Sequence, residues 1–168
     1  MKKNGIIVLF VLVAAAMTMF APLLSALPAG AEGPAVAKPS PKDKCPVCGM
    51  FVSKYPDWLA TLLFKDGTFR YFDGPKDLFK FLLDLKQYAP GKGQSDVDRF
   101  FVNDYYAVRQ IDGREAFYVL GSDVYGPMGK ELIPFAGESE ARGFLKDHGG
   151  RSIFRYHDIT SAVLKQLD

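Results

Sequence analysis

Cysteine and histidine are both scarce in this chain: there are two of each among 168 residues. Small secreted domains that depend on disulfides usually carry four or more cysteines spread along the sequence, so a stapled scaffold is excluded. The two cysteines, Cys45 and Cys48, lie three positions apart, and a bridge between them would close too short a loop to constrain a fold of this size. Charge of one sign is also lacking. The formal net charge is +2, and Lys2 and Lys3 alone account for it. The remainder is balanced, which argues against a nucleic-acid partner or a polybasic membrane patch. No Ser-His-Asp spacing, phosphate-cradling glycine loop or paired carboxylates stand out, so hydrolysis and phosphoryl transfer have no visible machinery.

The N-terminus carries a basic start, an apolar run from about Ile6 to Leu24, and small residues ending Ala29-Gly30-Ala31. This is the pattern of an export signal cleaved after Ala31. The apolar run also has the length of an uncleaved anchor. Cys45 follows Lys42-Asp43-Lys44, which is not a lipid-attachment setting. Residues 32–44, rich in proline and lysine, read as a flexible tether. The expected location is therefore periplasmic or otherwise extracytoplasmic.

Downstream, Trp58–Phe64 and Thr68–Phe72 read as a hairpin around Lys65-Asp66-Gly67. Asp73 is placed to cap a helix running through Tyr88. The stretch from Phe100 to Ile111 reads as one strand, turned at Asp112-Gly113 into Arg114–Gly121. Ser122–Lys130 reads as a loop, Glu131–Phe135 as a strand, Glu138–His148 as a helix and Ser152–Tyr156 as a strand, with Asp158 capping a last helix. "FDGPKDLFKFLLD" from Phe72 and "FAGESEARGFLKD" from Phe135 align without gaps, matching Phe72/Phe135, Gly74/Gly137, Phe81/Phe144, Leu82/Leu145 and Asp84/Asp147. The expectation is an α+β fold of two related β-β-α-β halves, about 45–108 and 109–168, with mixed sheets and helices packed on one face.

The informative stretch is "KCPVCGM", Lys44–Met50, which places three sulfur side chains within six residues. Thiolate and thioether are soft donors that suit Cu(I), and Gly49 gives the backbone freedom to turn both Cys48 and Met50 towards one ion. Met128, set between glycine and proline in "GPMGK", is a further candidate donor. Two alternatives stand beside copper. C-P-x-C-G has the shape of a zinc knuckle, but structural zinc needs four ligands, which would have to come from His148, His157 or carboxylates. C-x-x-C is also the spacing of a dithiol oxidoreductase, whose attacking cysteine sits at a helix start; here the residues after Gly49 read as strand. Asp73, Asp104 and Asp123 read as cap and turn residues.

"CPVCGMFVSKYP", "TFRYFDGPKDLFKFL", "FFVNDYYAVRQIDGREAFYVLGSD" and "GPMGKELIPF" together resemble the NosL family of copper-binding accessory proteins of nitrous oxide reductase. The resemblance implies a non-enzymatic, extracytoplasmic Cu(I) chaperone that hands copper to a cuproenzyme or its assembly machinery. It implies ligand positions at Cys48, Met50 and Met128, with Cys45 an addition to the simpler C-G-M form. Family members are commonly lipoproteins with a lipidated cysteine directly after the signal, and this chain lacks that arrangement. "CPVCGM" with "KDGTFRYF" is also similar to YHS and TRASH metal-binding modules. Those usually carry a further cysteine just after the second strand, where this chain has Asp73-Gly74.

Overall fold

The computed structural model describes residues 38–168. The expected signal over residues 1–31 and the first part of the expected tether lie outside the described residues. The end of the expected tether already belongs to the fold. Asp43 Oδ2 accepts the Ser40 N–H (2.6 Å), and the Asp43 carbonyl accepts the Val52 N–H (3.1 Å). No described helix is long and apolar enough to cross a membrane.

The first sheet contains β1 (Ala60–Phe64), β2 (Phe69–Phe72), β3 (Val97–Asn103) and β4 (Gln110–Asp112) in the order β2-β1-β3-β4; the second contains β5 (Phe117–Gly126), β6 (Gly129–Phe135) and β7 (Ser152–Phe154) in the order β6-β5-β7. Helices α1 (Pro75–Leu83) and α2 (Leu85–Tyr88) connect β2 to β3, α3 (Glu138–Asp147) connects β6 to β7, and α4 (Ser161–Leu164) lies near the C-terminus. The class is α+β, and both halves share the β-β-α-β order with their first strand in the middle.

Every strand pairing is antiparallel, which corrects the expectation of mixed sheets. The reason is topological. The helical crossover joins two strands of like direction, as anticipated, but β1 or β5 lies between them and pairs with both in the opposite sense. A strand–helix–strand pattern reports a crossover, not which strands become neighbours.

Several local expectations change for identifiable reasons. The stretch from Phe100 to Ile111 is a hairpin rather than one strand, because the Asp104 carboxylate gathers the N–H groups of Tyr106, Ala107 and Ala136 and turns the chain there. Asp112-Gly113 then carries the chain from the first sheet to the second. The helix expected through Tyr88 breaks at Asp84, which ends α1 and whose side chain caps α2 through the Gln87 N–H (3.1 Å). The loop expected over Ser122–Lys130 is largely strand: β5 and β6 close through Pro127-Met128, with Gly129 at φ +87 supplying the turn. The last helix is capped by Thr160 rather than Asp158.

Packing gives the second sheet two covered faces. Tyr118, Leu120 and Leu132 join a large core with Leu62, Phe72, Phe79, Phe81 and Phe100, whereas Val119, Ile133 and Phe135 pack with Ala141 and Phe144 of α3. Side-chain alternation along β5 thus sends neighbouring residues into different cores. Helices therefore lie on both sides of this sheet rather than on one. Phe79 of α1 meets Phe100 edge-on at 6.1 Å and Tyr118 at 5.0 Å, tying the two halves together.

Candidate metal centre

The knuckle is a tight loop closed by its own backbone. Cys45 N–H donates to the Met50 carbonyl (2.8 Å), Gly49 N–H donates to the Cys45 carbonyl (2.9 Å), and Lys44 bridges to Phe51. Gly49 holds φ +79, a left-handed conformation that side chains resist. This fold turns both thiols inward. Cys45 is almost fully buried and Cys48 half-buried; neither is in a disulfide.

They meet the start of α1. Chain leaving β2 passes through Asp73, Gly74 takes the N-cap position, and Pro75 opens the helix. Asp73 and Asp77 both turn towards the sulfurs: Cys45 Sγ–H donates to Asp77 Oδ2 at 3.2 Å, and Cys48 Sγ–H to Asp73 Oδ1 at 3.3 Å. One donor atom from each of Cys45, Cys48, Asp73 and Asp77 lies within 4.8 Å of the others. Asp73 is therefore a partner of Cys48, not the helix cap that its position suggested. The fold also makes a carboxylate pair that was not legible as one.

All four members are acids, three of them buried. Desolvation pushes the Cys48 thiol up to about 12 and the Cys45 thiol higher still, and burial likewise raises Asp77. Without a cation, both thiols keep their protons and donate them to the carboxylates. A metal ion bound there would supply the missing positive charge, and the thiols would give up their protons to it as thiolate ligands. The donor set offers two soft sulfurs beside two hard oxygens.

The other anticipated ligands are placed differently. Met50 is half-buried, and its carbonyl is committed to closing the knuckle. Met128 is 45% exposed at the β5–β6 tip, where its carbonyl accepts a 2.8 Å bond from Lys76 Nζ, one residue from Asp77. His148 stacks on Phe144 and pairs with Asp123 (2.9 Å), and His157 lies against Tyr156 with the two rings tilted. Neither histidine joins the thiol–carboxylate group.

Asp73 and Asp77 were missed as site-forming residues, and Glu131 as a buried carboxyl bonded to the first turn of the helix that carries Asp77. For Asp73 a signal existed: it stands where the YHS-type modules bring their extra cysteine. Asp77 reads as an ordinary first-turn acid, and Glu131 as a strand residue. Glu131 is in fact buried, and its Oε1 accepts the N–H groups of Lys76 (2.6 Å) and Leu132 (2.8 Å). A Cβ on Gly74 would lie 2.3 Å from Glu131 Oε2, so glycine leaves the space that this carboxylate occupies.

Burial, outweighing its two backbone N–H bonds, pushes Glu131 up from 4.5 to about 8. A carboxyl whose folded pKa is raised favours folding most when protonated in both states. Its contribution is thus fully present below about pH 4.5, falls as pH rises to about 8, and is flat above that. Glu131→Gln is expected to remove this part of the slope. Urea unfolding across that pH range, wild type against variant, reads it; parallel pH profiles would contradict the assignment.

The chain is similar to known proteins in sequence and, for one solved structure, in fold. The NosL family profile matches residues 36–164. The copper-binding lipoprotein NosL of Stutzerimonas stutzeri is 31% identical over 130 residues, covering 74% of this chain; the match spans 65% of that protein, slightly under two thirds of its length. The crystal structure of the copper chaperone NosL from Shewanella denitrificans superposes with a TM-score of 0.63 at 28% identity, over 77% of this chain and 99% of that one. The solution structure of apo-NosL from Achromobacter cycloclastes gives 0.46 at 26% identity, over 62% and 87% of the respective chains. With its family profile spanning most of the sequence and its two-sheet architecture shared with a solved member, the chain belongs to the NosL family.

Proposed function

We propose that this protein is an extracytoplasmic Cu(I)-binding chaperone whose ion is held by Cys45 and Cys48, with Met50 and Met128 as additional sulfur donors, and passed to a copper-accepting protein. The observation that carries this reading is the convergence of both cysteines in one buried, all-acid group. Soft thiolates select monovalent copper over hard ions, and a single thiolate is enough to neutralise that ion in a site that burial makes costly for any unpaired charge. The named relatives are a copper-binding lipoprotein and a copper chaperone, which supports copper as the cargo. The resemblance also supports an acceptor in nitrous oxide reductase assembly, and the export pattern at the N-terminus supports action outside the cytoplasm.

Zinc is the second reading, and the structure strengthens it. Asp73 and Asp77 complete a four-donor set with the thiols, and carboxylates are acceptable zinc ligands. A dithiol oxidoreductase is opposed by the same geometry. Burial raises both thiols, whereas an attacking thiolate needs its pKa lowered. The residues after Met50 form a short 3-10 turn, Val52–Lys54, instead of the helix such sites use.

Anaerobic titration of the reduced protein against chelators of known Cu(I) and Zn(II) affinity separates these readings. The proposal expects tight, stoichiometric Cu(I) binding that excess Zn(II) does not displace. Displacement by zinc, or unfolding of the purified protein on zinc chelation, would favour the structural-zinc reading instead.

A further inference from the structure

We propose that Lys76 is a positioning residue that fastens the β5–β6 tip to the first turn of α1 and so sets where Met128 presents its sulfur. The inference rests on the reading of Met128 as a copper ligand.

Lys76 lies between Gly74 and the cluster member Asp77, and its side chain reaches the β5–β6 tip. It is 4% exposed, and its Nζ donates to the Met128 carbonyl at 2.8 Å, across 52 positions of sequence. Its backbone N–H donates at 2.6 Å to Glu131 of β6. One residue thus ties both the tip and the adjoining strand to the helix start. The arrangement also depends on missing side chains. A Cβ on Gly74 or Gly126 would meet the Glu131 side chain at 2.3 Å or 3.1 Å, and Gly129 turns the tip with φ +87.

A buried ammonium is costly unless it is well bonded, and a long flexible side chain loses rotamer freedom when held at a single carbonyl. The side chain of Met128 is left exposed while its backbone is held. A neutral thioether contributes little attraction of its own over a distance, so its usefulness as a donor depends on being held in place, as outer partners of metal ligands do.

The test is a double-mutant cycle on Cu(I) affinity with Lys76→Met, Met128→Leu and the pair combined. If Lys76 acts through Met128, each single change weakens binding about tenfold, within the range for outer partners, and the double variant is no weaker than the singles. Additive losses of about a hundredfold, or a Lys76→Met protein that binds as wild type does, overturn the inference. Lys76→Arg keeps a long charged donor and is expected to restore wild-type affinity; a folded Lys76→Arg as weak as Lys76→Met counts against it. A second readout needs no copper. Backbone amides at Gly129 and Lys130 should exchange hydrogen faster in metal-free Lys76→Met than in wild type, and unchanged exchange overturns the proposed fastening. Failure of the wild-type protein itself to bind Cu(I) would instead remove the parent reading of function.

Discussion

Cys48→Ser is expected to abolish tight Cu(I) binding while leaving the fold in place. Cys48 is half-buried at the mouth of the cluster and donates to both oxygens of Asp73 at 3.3 and 3.4 Å. A serine hydroxyl retains the capacity for that hydrogen bond, so the metal-free protein should melt close to wild type. What serine cannot supply is an anionic soft donor: its oxygen stays protonated and hard, and Cu(I) prefers sulfur. The loss should exceed the ~10–100-fold penalty that follows disturbance of a ligand's outer partner. Competition titration beside a thermal melt reads both quantities, and unchanged affinity in a folded variant would contradict the assignment. Cys45 is a less clean probe. It sits inside the apolar core cluster with 1% exposure, so replacing its sulfur with a smaller, more polar oxygen also disturbs core packing and mixes a stability effect with the loss of a ligand.

Phe79→Ala should be the most damaging single truncation of the core. Phe79 is buried, stacks edge-on with Phe100 of the first sheet and Tyr118 of the second, and approaches Tyr156 at 6.3 Å. Removing the ring empties a space bordered by aromatic rings that cannot collapse without shifting both sheets, at a cost of roughly 3–5 kcal/mol. Total stability for a domain of this kind is about 5–15 kcal/mol, so much of the margin would disappear. The damage should reach copper as well, because Phe79 lies on the helix that carries Asp77. Urea unfolding measures the first effect. A variant within about 1 kcal/mol of wild type would show that the two halves are not coupled through this residue.

The legible parts of the molecule were those written in local pattern. Periodic apolar residues marked α1, and the gapless match from Phe72 to Phe135 fell on equivalent places: each phenylalanine ends a strand, and Gly74 and Gly137 each take the N-cap position. The sulfur-rich knuckle was equally visible, since Gly49 and the flanking residues shape it without help from the rest of the chain. Less visible was everything set by which distant segments meet. Asp73 and Asp77 join the thiols from 25 and 32 positions away, and no local pattern distinguishes them from a helix cap and a first-turn acid. The Asp104 turn was hidden for a related reason. Its carboxylate is held partly by Ala136, 32 residues downstream, so a run of strand-forming residues bends where propensity alone would carry it straight. The antiparallel sheets follow from the same limit, because β1 and β5 insert between strands that the sequence shows only as consecutive.

Proposed ligand roles at Cys45 and Cys48 meet their sharpest test in copper K-edge X-ray absorption on anaerobically loaded protein. A cuprous edge and a first shell made of sulfur are expected for the wild type, with no copper retained by Cys48→Ser after desalting. A cupric edge, or a first shell dominated by oxygen and nitrogen and indifferent to that substitution, would place the ion elsewhere and contradict those roles.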